Sequence, residues 1–456
     1  MLHVCNCHLQ TIAKKCRYRE RSRSPSGSVS GRISPKMKNE TANISHLRGY
    51  LFSALLMVSG CLHSDSSEME TESFMLSWQQ DPTSTMTIDW YPEAGSRSQL
   101  EYRPKGTDEW TTKTGHTVRI PESDRICQRH ELTGLRPDAR YEFRFTGSEP
   151  TYYFRTMPEE LDRPLRFIAT GDMLHTVEWL RNTAISAMSI EEGDYDFAVV
   201  GGDLAYTDGE GRKLWRWFEY FKVWSEVMVT GNGRVIPHLA AIGNHEVKRG
   251  FVHQYPVSET RSPGFVEREA PYFSTFIPFP GPDAYGVLDF GEYLSLFLLD
   301  SNHATYVAGE QTDWLRQQMH QRQHVRHLIP VYHVPAWPSA RDFNEKNVRA
   351  VRENWVPVFE EYGVRVAFEH HDHTYKRTHP IREGRADETG VYYIGDGAWG
   401  VRTREIRTDE DGNRPWYLAE AREIRHFIVV EMDDDGYQLD VFDEEARHID
   451  EVYIPR

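Results

Sequence analysis

A chain of 456 residues with 39% hydrophobic residues and 12 tryptophans exceeds one typical domain and can fill more than one core. The formal net charge is −16, yet residues 1–60 carry about ten Lys/Arg against two Asp/Glu, leaving the remainder roughly −24. Such a body argues against non-specific nucleic-acid binding but not against phosphate esters, because metal charge dominates locally; five cysteines imply no disulfide framework.

Residues 1–36 are basic, Ser- and Arg-rich and poor in apolar residues, which predicts a disordered extension. Cys5 and Cys7, beside His3 and His8, lack the second cysteine pair of a zinc knuckle. Residues 37–60 read as an export signal: Lys38 and Arg48, an apolar run over 50–58, then small residues. The run is short for a bilayer span. Val58-Ser59-Gly60-Cys61 resembles a bacterial lipobox, with Cys61 as the lipidated first residue of an exported, membrane-anchored chain in the periplasm or at the cell surface. Residues 61–72 would be its tether.

Residues 73–157 predict an all-β domain. Strands are expected over 74–78, 86–91, 99–103, 141–145 and 152–156, where apolar and polar residues alternate. Leu135-Arg136-Pro137 followed by Tyr141-Glu142-Phe143 resembles a fibronectin type III sandwich with its tyrosine corner.

Residues 158–456 predict a layered α/β domain, with helices over 177–190, 212–229, 311–323 and 344–362 between apolar strands. Hairpins are expected around Gly291 and Asp435-Gly436, so the sheets should be mixed. Five of the apolar runs end in polar clusters: Gly171-Asp172, Gly202-Asp203-Leu204-Ala205-Tyr206, Gly243-Asn244-His245-Glu246, His333, and His370-His371-Asp372-His373. Sites in α/β sheets form at the carboxyl ends of strands. These ends would bring carboxylate and amide oxygens and three imidazoles into one crevice, a donor set that suits two metal ions.

The ordered series resembles the calcineurin-like metallophosphoesterases, and Tyr206 in Gly-Asp-x-x-Tyr narrows it to those like purple acid phosphatases. The family pattern has Gly where this chain has His370, and places its fourth-motif His one register later relative to Val331. Ordinary dinuclear members carry His where Leu174 stands, and His175 comes one position late. The resemblance implies an αββα fold and a dinuclear centre. Asp172, Asp203, Tyr206 and His373 would hold one metal, and Asp203, Asn244, His333 and His371 the other. A phenolate favours Fe(III); imidazole and amide suit a divalent Zn, Fe or Mn. His245 would be the catalytic residue, bonding the phosphate or its leaving oxygen, with Glu246 fixing its ring. Water activated by the two cations would attack a phosphate monoester in line, with no covalent enzyme intermediate. Tyr375 and Arg377 match an extension of the last motif, and His303, His379, Arg249 and Asp396 are further pocket candidates.

Two other readings compete. A phosphodiesterase acting on nucleotides or phospholipids would differ in its lid, expected over 251–282. A surface adhesion protein with a vestigial site would bind no metal.

Overall fold

The computed structural model describes residues 73–92, 99–146, 150–278 and 284–456. The basic extension, the signal segment, Cys61 and the tether expected from the sequence lie outside the described residues.

Two antiparallel four-stranded sheets form the N-terminal part. In one, the spatial order is Ser73–Ser77, Met86–Tyr91, Ile126–Leu132, His116–Arg119; in the other, Thr111–Lys113, Leu100–Pro104, Arg140–Phe145, Tyr152–Arg155. Arg140–Phe145 shows why: Tyr141, Phe143 and Phe145 are buried while the alternate residues face outward. Residues from both sheets share one core, with Trp90 stacked on Phe145 at 4.8 Å and Phe74 edge-on to Phe143 at 5.8 Å. The Tyr141 hydroxyl accepts a hydrogen bond from the Arg136 N–H at 2.9 Å. The strands Thr111–Lys113 and His116–Arg119 are not visible in the sequence because they carry almost no buried face.

This part packs on the α/β region. Tyr91 stacks on Phe221 at 4.2 Å, and Trp78 lies edge-on to Phe290 at 5.9 Å. Arg129 pairs with Asp89 and also donates to the Thr275 carbonyl at 3.0 Å.

Two mixed sheets dominate the rest. The six-stranded sheet runs His238–Ala240, Phe197–Val200, Leu165–Thr170, His426–Met432, Gly436–Asp443, His448–Pro455. Its first three strands are parallel and the others antiparallel. The seven-stranded sheet runs Gly286–Phe290, Leu294–Leu298, His327–Val331, Val366–Glu369, Tyr392–Gly395, Tyr375–Thr378, Leu418–Arg422. Both faces of the parallel strands are buried, so they read as continuous apolar runs. Phe167 and Ala169 share a core with Ile329, Val331 and Phe368 of the other sheet. Ile168, Ala198 and Val200 face instead the helices Val177–Ser189 and Trp215–Val227. Phe297, Tyr332 and Ala367 pack likewise against Thr312–Gln321, Lys346–Asn354 and Val356–Glu361.

The helix expected over 344–362 is two helices meeting at Trp355. Pro357 sits in the first turn of the second, where its missing N–H costs nothing, but it cannot continue the first. The segment expected as a lid forms short helical turns over Val252–Gln254, Val257–Thr260, Phe265–Glu269 and Pro271–Phe276.

Candidate metal centre

Three of the polar clusters lie just past parallel strands of the six-stranded sheet: Leu165–Thr170 leads to Asp172, Phe197–Val200 to Asp203, and His238–Ala240 to Asn244. The other two lie just past parallel strands of the facing sheet: His327–Val331 leads to His333, and Val366–Glu369 to His371 and His373. The clusters therefore converge at the carboxyl ends of the parallel strands in the two facing sheets.

The convergence needs close backbone approach. Gly202 has φ +99°, and a Cβ there would lie 2.7 Å from the Gly243 nitrogen, so the second and third turns touch only because both are glycine. His370 stands where the related motif has glycine. Its ring occupies the space that side chains on Gly171 and Gly201 would need, and its Nδ1 lies 2.9 Å from the Tyr332 carbonyl. Five of the expected ligands have left-handed backbone: Asp172 (53°), Asp203 (55°), Tyr206 (54°), His371 (82°) and His373 (59°). Each costs roughly 1 kcal/mol or more, and such strain concentrates at functional sites.

All seven expected ligands meet in one place. Tyr206 Oη lies 3.1 Å from Asp172 Oδ1 and 3.4 Å from His373 Nε2, and His373 Nε2 lies 2.9 Å from Asp172 Oδ1. His333 Nε2 lies 3.1 Å from Asp203 Oδ2, 3.2 Å from Asn244 Oδ1 and 3.0 Å from His371 Nδ1. Two donor groups result, Asp172 with Asp203 and His373, and Asp203 with His333 and His371; within each, the donor atoms lie within 4.8 Å of one another. Asp203 belongs to both.

The donors fit cations better than they fit each other. Asp203 Oδ2 is buried and receives no hydrogen bond, a costly state for a carboxylate oxygen. Nδ1 of His333 faces the Gly201 carbonyl at 2.9 Å, and Nδ1 of His373 the Arg402 carbonyl at 3.0 Å. Donation to those carbonyls leaves Nε2 of each ring as a lone pair aimed into the cluster. Burial, and then the neighbouring Asp172 and Asp203 carboxylates, push the Tyr206 phenol well above its usual range. It would ionise only against a strong Lewis acid.

His245 stands beside this cluster, with Nε2 4.0 Å from Asp203 Oδ2 and a backbone N–H bonded to Asp203 Oδ1 at 2.8 Å. Its ring is oriented by Asp208, whose Oδ1 lies 2.5 Å from Nδ1. The expectation that Glu246 performs this task is corrected: the Glu246 carboxylate accepts the backbone N–H groups of Gly243, Asp203 and Leu204, each at 2.8 Å. It ties the second turn to the third. Burial and the Asp203 charge push it up to about 7 despite these donors.

The weaker candidates belong to neither donor group. Tyr375 and Arg377 both bind Asp450, away from the metal donors. Arg249 lies over the Tyr255 ring, and the backbone N–H of His379 bonds the Tyr417 carbonyl. His303 is buried, held by Gly250 and Ser301, with its ring 5.4 Å from that of His333. Asp396 does not merely satisfy a turn: it bonds Ser339 Oγ and lies 3.7 Å from the buried Lys376 ammonium. The sequence marks neither Asp208 nor Lys376. Asp208-Gly209 reads as an ordinary turn, and nothing in the pattern singles out Lys376.

Residues 165–375 match the calcineurin-like phosphoesterase family, and residues 71–156 match the purple acid phosphatase N-terminal domain. The chain carries a calcineurin-like phosphoesterase domain behind a purple acid phosphatase N-terminal domain. Similar proteins include three from Arabidopsis thaliana. Purple acid phosphatase 18 is 23% identical, covering 65% of this chain and 63% of its own length. Purple acid phosphatase 21 is 26% identical (66% and 65%), and purple acid phosphatase 22 is 25% identical (58% and 56%). The chain thus spans less than two thirds of the length of those relatives. The family is one of hydrolases with a dinuclear metal centre, and the two donor groups sharing Asp203 lie within its matched region.

Proposed function

We propose that this chain hydrolyses phosphate monoesters at a dinuclear site shared through Asp203, with Fe(III) on the Tyr206 side and a divalent Zn, Fe or Mn on the His333 side. The observation that carries this reading is Asp203: it alone belongs to both donor groups, and its Oδ2 is buried without a hydrogen bond. Asp172, Tyr206 and His373 complete one position; Asn244, His333 and His371 complete the other. When bound, the cations supply Lewis-acid stabilisation and a water of lowered pKa. The protein's own part is orientation. Asp208 aims His245 Nε2 at the place where a phosphoryl or leaving-group oxygen would sit, and there it would offset developing charge.

The N-terminal sheets fit a fibronectin type III-like sandwich through the Tyr141 hydroxyl bond, and the sheet–sheet core with helices outside fits a four-layer αββα domain. Export with a lipid on Cys61 is part of the same proposal. Fractionating cells that express Cys61→Ala tests it, and a variant as membrane-bound as the parent would refute it.

The catalytic reading is tested by metal analysis of the purified protein and hydrolysis of a panel of phosphate mono- and diesters. Two metals per chain and preference for monoesters are expected. Asp203→Asn should lose metal and turnover together. A metal-loaded parent that cleaves only diesters would shift the substrate class, and one that cleaves neither would reject the reading.

A further inference from the structure

Arg402 holds two imidazoles on one residue. His373 Nδ1 lies 3.0 Å from its carbonyl, and its own N–H donates to His175 Nδ1 at 3.1 Å. The second bond fixes a tautomer: because His175 Nδ1 accepts, the ring proton of the neutral imidazole resides on Nε2. Nε2 lies across the ring from Arg402, as it does in His373, where Nε2 meets Asp172 and Tyr206. The His175 ring packs edge-on against both neighbours, 4.6 Å from Tyr206 and 5.5 Å from His373. His245 also packs on the Tyr206 ring, at 4.3 Å. His175 is half-buried, it belongs to neither donor group, and its Nε2 makes no hydrogen bond among the described residues.

We propose that His175 is a substrate-contacting residue whose Nε2–H donates to a phosphoryl or leaving-group oxygen on the Tyr206 side of the site. This rests on the phosphoesterase reading above. The two histidines that pack on Tyr206 then divide the work: His245, held by Asp208, serves the Asp203 side, and His175, held by Arg402, serves the other. The interaction is a hydrogen bond only; the proton stays on Nε2 and no bond is made or broken by this residue. His175 also lies one position past Leu174, where related dinuclear sites carry a ligand, so the same turn would deliver an imidazole to substrate.

The competing role is packing against Tyr206, and two variants separate the two. His175→Phe keeps an aromatic ring there without a donor; His175→Gln keeps a donor without the ring. Metal content, kcat and KM for p-nitrophenyl phosphate, and the inhibition constant of inorganic phosphate are read for each. His175→Phe should keep both metals, lose about tenfold or more in kcat/KM, and bind phosphate more weakly by a similar factor; His175→Gln should recover part of both. His175→Phe within twofold of the parent in both measures would overturn the proposal, and so would loss of metal from that variant, since His175 would then act through Tyr206. If the metal-loaded parent hydrolyses no ester, the phosphoesterase reading fails on its own; calorimetric titration of inorganic phosphate into parent and His175→Phe still decides the contact, with equal affinities counting against it.

Discussion

Asp208 grips His245 twice, once through Oδ1 on the ring Nδ1 at 2.5 Å and once through its backbone N–H on the His245 carbonyl at 2.8 Å. The carboxylate also pairs with Lys213. Asp208→Ala keeps the backbone bond and removes the ring's orienting partner together with the Lys213 ion pair. A fall of about 10- to 100-fold in kcat is expected, the range found when an outer partner of a site imidazole is lost. Metal content should stay at the parent level, because Asp208 touches no donor of either group. Parent-like kcat in Asp208→Ala would show that the His245 ring is oriented by something else.

Glu246 carries a different load. Its two oxygens satisfy three buried backbone N–H groups from two separate turns. Glu246→Gln replaces one acceptor oxygen by an N–H₂ that faces those donors. One unsatisfied buried donor costs roughly 1–3 kcal/mol, so the urea midpoint should fall measurably. Because the Asp203 turn is held by these bonds, metal affinity should fall as well. An unchanged midpoint with full metal content would mean that the Gly202–Gly243 contact alone sets this geometry.

Much of this site was readable because its candidate ligands sit at the ends of continuous apolar strands, and five strand ends in order leave few arrangements open. The shared position of Asp203 stems from the central place of Phe197–Val200 between two parallel neighbours. What the sequence concealed lies in contacts between distant segments. Asp208 reaches His245 across 37 positions. Arg402 reaches His175 across 227 positions. The positive φ of Asp172, Asp203 and Tyr206 is equally hidden, because aspartate and tyrosine carry no signal for left-handed backbone comparable to glycine. Lys376 was invisible for a further reason: a lysine in a strand is ordinarily taken as solvent-facing.

Lys376 is buried, with its ammonium on Glu369 and the Trp337 carbonyl and 3.7 Å from Asp396. Asp372, between the candidate ligands His371 and His373, is buried in the same region and accepts the N–H groups of Ser339 and Ala340, each at 2.7 Å. Lys376→Met would leave buried carboxylates without their cation, at a cost of about 3–5 kcal/mol. A marked loss of soluble, folded protein or a much lower denaturation midpoint is expected. Adding Asp396→Asn removes one of the stranded charges and should restore part of the loss. If the double variant is no more stable than Lys376→Met, the Lys376–Asp396 interaction contributes little.

In the proposed site, Tyr206 would decide which metal pair is held. Its oxygen lies within hydrogen-bonding reach of Asp172 and His373, and burial opposes its ionisation. Leu174 supplies no imidazole, so in the proposed site the phenol would be the donor that completes that side. A phenolate on Fe(III) absorbs visible light by charge transfer, and the purified protein should be pink to purple. Tyr206→Phe removes the oxygen but keeps the ring that packs on His175 and His245. The visible band should disappear while the circular dichroism spectrum and melting temperature stay near the parent values. Iron content should fall only in part, because Asp172, Asp203 and His373 remain. A colourless, iron-free parent with full turnover would reject the iron–tyrosine pairing and leave a site of two divalent ions. A Tyr206→Phe protein that keeps its colour would place the chromophore on another residue.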